Sequence, residues 1–217
     1  MKKDLLVLTA DADAEAIMNA IMPRYQSIGM REICFDVKRH PMHDSGLFKD
    51  GPELTRLFKN QYEYLIIILD YHGSGCNSDV QKCSQNLQAR LDDVTWSSHS
   101  FSSIIVPEIE EWLWHNIESI CNFFHIDGSE LQKIIQVYCN QKKLGDFSLA
   151  RTNHPKEFID YLSYVKLRKN HLLPREYRMI AERASLADWQ NSSSFNHLVS
   201  QLRAWFPANR GAGSAES

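Results

Sequence analysis

Residues 65–70 read LIIILD, a run of five aliphatic residues that ends in an aspartate. Successive side chains of a strand point to opposite faces, so a strand without polar alternation is buried on both faces. Three other short runs have a similar apolar character: LLVLT at 5–9, EICFDV at 32–37 and SIIV at 103–106. Amphipathic stretches separate these runs, at 14–25, 52–60 and 78–91. This alternation predicts an α/β fold with a mainly parallel four-stranded sheet flanked by helices.

The pattern changes after Pro107, where helical periodicity continues and no further strand is indicated. The predicted helices cover 108–116, 129–140, 155–165, 174–183 and 194–206. We therefore expect an α/β core over residues 1–116 and a helical C-terminal portion over 117–207 that packs on it. The small polar residues at 208–217 predict a disordered tail.

Composition restricts the class of protein. The chain has 217 residues and a net charge of −3, which argues against a strongly basic nucleic-acid clamp but not against an enzyme that binds phosphate through a metal. Five irregularly spaced cysteines without a CxxC pair argue against a disulfide framework or a four-ligand zinc site. Because no segment approaches the roughly 20 apolar residues of a membrane span, we predict a reduced, cytoplasmic protein without a membrane partner.

Carboxylates follow three of the predicted strands. Asp11 and Asp13 come after the first strand, Asp70 ends the third, and Glu108 comes after the fourth. Ligand sites of open parallel sheets lie beyond the carboxyl ends of the strands, so these groups are expected to converge. The alternative for this segment is capping of the helix that follows, with Asp13 as the N-cap and the acidic groups favoured in the first turn by the helix dipole.

The segment VPEIEEWLWHN adds a second acidic group. Glu108, Glu111 and His115 stand at i, i+3 and i+7, which places them on one face of a predicted helix. We expect Glu111 to reach the same edge of the sheet, although acidic residues at this position also suit a helix start.

The loop after the second strand, RHPMHD, contributes Arg39, His43 and Asp44. His43 is a candidate base, Asp44 its orienting group, and Arg39 a candidate phosphate ligand. Neither a GxSxG motif nor a P-loop occurs. Clustered carboxylates suit Mg²⁺ or Mn²⁺ and metal-assisted phosphoryl transfer, which leads us to predict a metal-dependent phosphoesterase.

The order of several short motifs resembles a known family. The run HPxHDxG, the run DxxGxG, the segment PEIEEWLW, HPKE and the C-terminal YxxIAERASL and WFP are similar to the Toprim-like fourth component of the bacterial methylation-associated phage-defence systems. The resemblance extends from Asp4 to Pro207. It implies a Toprim-like core, a cytoplasmic antiviral nuclease, nucleic acid as substrate and other defence subunits as partners.

Carried over by position, the resemblance assigns metal and catalytic roles to Asp11, Asp13, Asp70, Glu108 and Glu111. It also makes Lys156, in HPKE, a candidate phosphate ligand and catalytic residue. His72 stands where the family pattern has the second aspartate of a DxD, and imidazole favours softer metals than Mg²⁺.

Two hypotheses from different classes follow. The first is a metal-dependent nuclease subunit in which His43 or His72 orients water. The second is a catalytically inactive Toprim-derived scaffold or sensor that docks a partner, with Trp189 and Trp205 available for an interface or, as we favour, buried in the core. A small-molecule hydrolase ranks last because no nucleotide-binding fingerprint is present.

Overall fold

The computed structural model describes residues 1–208, without the side chains at 149, 150 and 152. Four parallel strands form one sheet in the order β2-β1-β3-β4. They are β1 Lys3–Thr9, β2 Phe35–Arg39, β3 Tyr62–Asp70 and β4 Ser100–Ile105. The predicted α/β class, four-stranded parallel sheet and helical C-terminal part are confirmed. The predicted disordered tail falls, from residue 209 onward, outside the described residues.

Helices fill the connections between strands and the C-terminal half. The first four are α1 Ala12–Ile21, α2 Tyr25–Ile28, α3 His43–Thr55 and α4 Val80–Leu91. A 3-10 helix, Ile109–His115, follows β4. The C-terminal helices are α5 Ile117–Phe124, α6 Gly128–Lys142, α7 Phe147–Asn153, α8 Pro155–Leu167, α9 Pro174–Arg183, α10 Leu186–Trp189 and α11 Ser193–Trp205.

The sheet is covered on both faces, which explains its continuous apolar strands. Val7 and Ile66 belong to a core that includes α1 and the C-terminal helices. Leu8 and Ile67, the next residues along each strand, belong to a second core under α3 and α4. Each central strand therefore buries both sets of its side chains.

The strand order creates a crevice between the carboxyl ends of β1 and β3. The chain leaves β1 through α1 on one face to reach β2, and it leaves β3 through α4 on the other face to reach β4. Connections that leave two neighbouring strands on opposite faces cannot close over the space between them. This switch point is the expected position of a ligand site in such a sheet.

Three local predictions require correction. The helix predicted to begin at Pro52 begins at His43 and contains Pro52 in its interior. The second strand begins at Phe35, three residues later than predicted. The predicted α-helix after Pro107 is a 3-10 helix, and Glu108 precedes it in an extended conformation with φ −151° and ψ 160°. The last difference changes which acidic side chains face the crevice.

The C-terminal helices complete the core of the α/β half. Helix α9 packs on α1, and the Arg24 guanidinium donates to the backbone carbonyls of Ala181 and Ala184 at 2.9 and 2.8 Å. Trp189 is fully buried in the same core. Trp205 stacks on Tyr64 of β3 with ring centroids 4.6 Å apart. The two halves thus share one continuous hydrophobic core.

Two of the five cysteines differ from the expectation of reduced thiols. Cys76 and Cys83 form a disulfide that joins the loop after β3 to α4. The spacing of seven residues carried no signal for this pair in the sequence. In the described part of the chain, no helix has the length and apolar character needed to cross a membrane.

Candidate active site at the carboxyl edge of the sheet

Three aspartates surround the crevice, and a backbone N–H holds one oxygen of each. Asp11, and not Asp13 as predicted, caps α1 by accepting from Ala14 N at 2.8 Å, and Asp13 lies in the first turn. Asp44 accepts from Asp70 N at 2.8 Å, and Asp70 accepts from Ile109 N at 2.9 Å. Among the described residues, the second oxygen of each carboxylate makes no hydrogen bond. These three groups are fixed in orientation and each retains an oxygen that is available to a ligand.

A buried ion pair lies beside this aspartate group. Glu110 is fully buried, and its Oε1 lies 3.1 Å from the ammonium of Lys156. The same ammonium lies 3.5 Å from Asp13 Oδ2. Glu110 Oε2 has no hydrogen-bond partner within the described structure. Lys156 therefore neutralises part of the charge that two carboxylates bring into the protein.

The electrostatics show that negative charge is concentrated here. Burial, then repulsion from Glu110, Asp44, Asp11 and Glu108, raises the pKa of Asp70 well above its ordinary value. Burial raises the pKa of Glu110 to about 7, against the opposing effect of Lys156. The pKa values of Asp13, Asp44 and Glu108 are also raised, with burial as the largest cause of each. A cation that entered the crevice would relieve this repulsion.

Glu111 lies apart from the carboxylate cluster, although the sequence predicted it there. Its carboxylate contacts His115 Nε2 and accepts from the Ser192 hydroxyl at 2.7 Å, next to the start of α11. The prediction assumed an α-helix through Glu108, whereas the 3-10 helix begins one residue later and turns 120° per residue. Glu110 consequently occupies the interior position beside Lys156.

The predicted histidines and arginine stand on the rim. His43 begins α3 with φ 53° and is exposed, and Arg39 is exposed at the end of β2. His72 is exposed in the turn after Asp70, where its charge acts on Glu108. The turn itself depends on Gly73, whose φ of 90° suits glycine and places its backbone against Asp44. These residues are exposed to solvent and do not lie inside the carboxylate cluster.

The carboxylates of the crevice supply the kind of oxygen ligand that a hard cation prefers, but they do not supply a complete site. Mg²⁺ is commonly held by one or two carboxylates together with water and substrate phosphates, and the free oxygens of Asp11, Asp44 and Asp70 provide such ligands. No group of three or more His, Cys, Asp or Glu residues in the described structure is arranged around one point as a metal site. The described residues therefore do not form a ready-made site of three protein ligands, and no more than two of these carboxylates can be counted as ligands of one ion.

Sequence reasoning overlooked several groups of this site. The sequence does not indicate Glu110 because the segment predicts an α-helix instead of a 3-10 helix. It suggests Asp44 only as the orienting group of His43. Asp160 pairs with His171 at 2.7 Å, and burial raises its pKa against the opposing effect of His171. Tyr177 of α9 is buried, and burial and the neighbouring Glu110 raise the pKa of its phenol. The last two lie on helices far along the chain, where spacing carries no information about the crevice.

Comparison with known proteins found no matching family model, no matching curated protein and no matching solved structure.

The buried carboxyl of Glu110 predicts a measurable pH effect. Its folded pKa of about 7 exceeds its ordinary value of 4.5, so the unfolded chain releases this proton first as pH rises. The stability of the wild type relative to Glu110→Gln is therefore highest below pH 4.5 and decreases until about pH 7. The expected decrease is about 3 kcal/mol, since each pKa unit corresponds to about 1.4 kcal/mol.

Urea denaturation of both proteins at several pH values between 4.5 and 8 measures this difference. Groups unrelated to Glu110 cancel in the comparison. A stability difference that stayed constant across the range would contradict the raised pKa. A wild type that became more stable relative to Glu110→Gln as pH rose would contradict the direction of the shift.

Proposed function

We propose that this protein is a divalent-cation-dependent phosphoesterase that cleaves nucleic acid, a Toprim-like subunit of an antiviral defence system. The arrangement of Asp11, Asp44 and Asp70 supports this function best. Each carboxylate is oriented by a backbone N–H, has an uncommitted oxygen and borders the switch point of the sheet. Structural aspartates would be expected to have both oxygens satisfied or exposed away from one another.

In this proposal the residues have separate roles. Two of the carboxylates of Asp11, Asp44 and Asp70 would hold Mg²⁺ or Mn²⁺ together with water and substrate oxygens, and Glu108 and Asp13 would add negative charge around the ion. A bound cation would polarise a phosphoryl oxygen and lower the pKa of water. His72 or His43, on the rim, would accept a proton from the attacking water. Arg39 and the partly exposed Lys156 would contact the phosphates of the substrate and set its position.

The direct test measures ion binding and cleavage separately. Mn²⁺ binding to the full chain is followed by the loss of its free-ion electron paramagnetic resonance signal. Cleavage is followed with fluorescent single- and double-stranded DNA and RNA in Mg²⁺ or Mn²⁺, with EDTA as control. We expect one bound ion and metal-dependent cleavage that EDTA stops. Absence of both ion binding and cleavage would refute the proposal.

The second candidate, a non-catalytic scaffold or sensor, is favoured by the position of Lys156. Its ammonium is bound to Glu110 and Asp13, so a protein cation already supplies part of the charge that a metal would supply. If the cluster is structural, the wild type fails to bind Mn²⁺ and Lys156 serves the fold alone. Ion binding by the wild type at micromolar Mn²⁺ would rule out this alternative.

A further inference from the structure

A groove runs along the outer edge of the sheet, away from the carboxylate cluster. Its floor is β4, one wall is α4 with Ser84 and Gln85, and the other is the start of α11 with Ser194 and His197. The groove has a volume of about 540 Å³, within the range of ligand-binding clefts. Serine hydroxyls on both walls and glutamine amides on the α4 wall can donate and accept hydrogen bonds. The groove is therefore shaped and equipped to bind a polar chain.

The floor of this groove is an unpaired sheet edge. Strand β4 is the last strand of the sheet and pairs with β3 alone. The odd-numbered residues on the β4 side make the hydrogen bonds to the β3 side. Leu65 N donates to His99 O, and Tyr71 N donates to Ile105 O. Residues two apart in a parallel strand turn their main-chain groups to the same side. Ser100, Ser102 and Ile104 consequently direct N–H and C=O away from the sheet.

Gln88 of α4 satisfies only the first part of that edge. Its side-chain oxygen accepts from Ser102 N at 3.2 Å, and its amide nitrogen contacts Ser100 O at 3.4 Å. The carbonyl of Ser102 and both main-chain groups of Ile104 have no hydrogen-bond partner in the described chain. A row of main-chain groups without protein partners at a sheet edge can pair with a further strand, so this part of β4 is available to one.

The charge of the groove restricts the partner further. Among the described residues that line it, Glu111 and His197 are the only ionisable ones, and the Glu111 side chain is 16 % exposed and contacts His115. An acidic segment would be repelled, whereas a neutral or basic segment would be accepted. The walls formed by α4 and α11 stand on both sides of β4 and would obstruct edge-to-edge pairing with the sheet of a second copy.

We propose that the groove binds an extended, neutral or basic peptide segment of a partner protein, which pairs with β4 through the main chain of Ser102 and Ile104. Main-chain pairing would give affinity, and alternate side chains of the peptide would point toward the α4 and α11 walls. This inference does not depend on catalysis or on the carboxylate cluster. It identifies a docking surface on the opposite side of the 3-10 helix that carries Glu110 and Glu111.

The test begins with a phage-displayed library of random twelve-residue peptides, selected on the full chain. Synthetic forms of the enriched peptides are then titrated by fluorescence anisotropy. Gln85→Arg places a long cation in the groove, and we expect it to weaken binding at least tenfold. Gln132→Arg makes the same change at an exposed position of α6 and should leave the dissociation constant within twofold.

Amide hydrogen exchange measured by NMR supplies the geometric readout. A saturating peptide should slow exchange of the Ile104 N–H at least tenfold, because that group gains a hydrogen bond. Absence of enriched peptides, equal binding by Gln85→Arg, or an unchanged Ile104 exchange rate would each overturn the proposal. Enrichment of acidic sequences would also overturn it, since Glu111 would then repel the bound segment.

Discussion

Asp70→Asn is expected to abolish phosphodiester cleavage and, at the same time, to stabilise the folded protein. Asparagine retains an oxygen that can accept from Ile109 N, but it lacks the charge that a cation requires. Cleavage should fall at least 100-fold and Mn²⁺ affinity at least tenfold. The buried Asp70 carboxyl has a raised pKa, so its neutral replacement relieves repulsion from Asp44 and Glu110. The free energy of unfolding at pH 8 should rise by about 1 kcal/mol or more.

The opposite signs of these two effects make the experiment decisive. Loss of activity together with loss of stability would indicate a damaged fold, whereas loss of activity with a gain in stability assigns the carboxylate to the site. Asp93→Asn, an exposed aspartate beyond α4, is the matched control and should change neither quantity. Full cleavage by Asp70→Asn would exclude this residue from catalysis.

Lys156→Met is expected to cause the largest loss of stability among single substitutions at this edge. It removes the ammonium that lies 3.1 Å from Glu110 and 3.5 Å from Asp13, while methionine fills a similar volume. Removing one partner of a buried ion pair costs about 3–5 kcal/mol, because an uncompensated charge remains. The loss should be smaller at pH 5 than at pH 8, since Glu110 takes up a proton at the lower pH.

A double variant and a surface pair test this explanation with urea denaturation. Lys156→Met combined with Glu110→Gln should recover most of the lost stability, because the remaining groups are then neutral or near the surface. Lys166→Met breaks an ion pair with Glu130 whose side chains are 24 % and 45 % exposed, and it should cost about 1 kcal/mol or less. Equal losses for Lys156→Met and Lys166→Met would show that burial of Glu110 does not determine the effect.

The sheet was predictable because its signal is local. Five consecutive aliphatic residues before Asp70 require burial on both faces, and that requirement indicates a parallel strand covered by helices. The arrival of Asp11 and Asp70 at one edge then follows from the common direction of the strands. These inferences need no knowledge of how distant helices pack.

The composition of the site was less predictable because it depends on helix type and on helix boundaries. Beginning the 3-10 helix at Ile109 exchanges the expected Glu111 for Glu110, and beginning α3 at His43 brings Asp44 to the end of β3. The first shift is a single residue, which is less than periodicity resolves, and the second arises because Pro52 suits a helix start but lies in the interior of α3. The resemblance predicts a role for Lys156, but it does not indicate its carboxylate partners. Those depend on how α8 packs at the crevice.

The contact between α1 and α9 has a consequence for synthesis of the chain. Arg24 donates to the carbonyls of Ala181 and Ala184, which are made 157 and 160 residues later. At ribosomal synthesis rates of about 5–20 residues per second, the apolar side of α1 stays uncovered for roughly 8–30 s, until α9 has been made. During that interval the nascent α/β half exposes a surface suited to chaperone binding. Termination of synthesis at a stop codon placed after residue 116 would leave this surface exposed permanently. We expect the resulting fragment to aggregate.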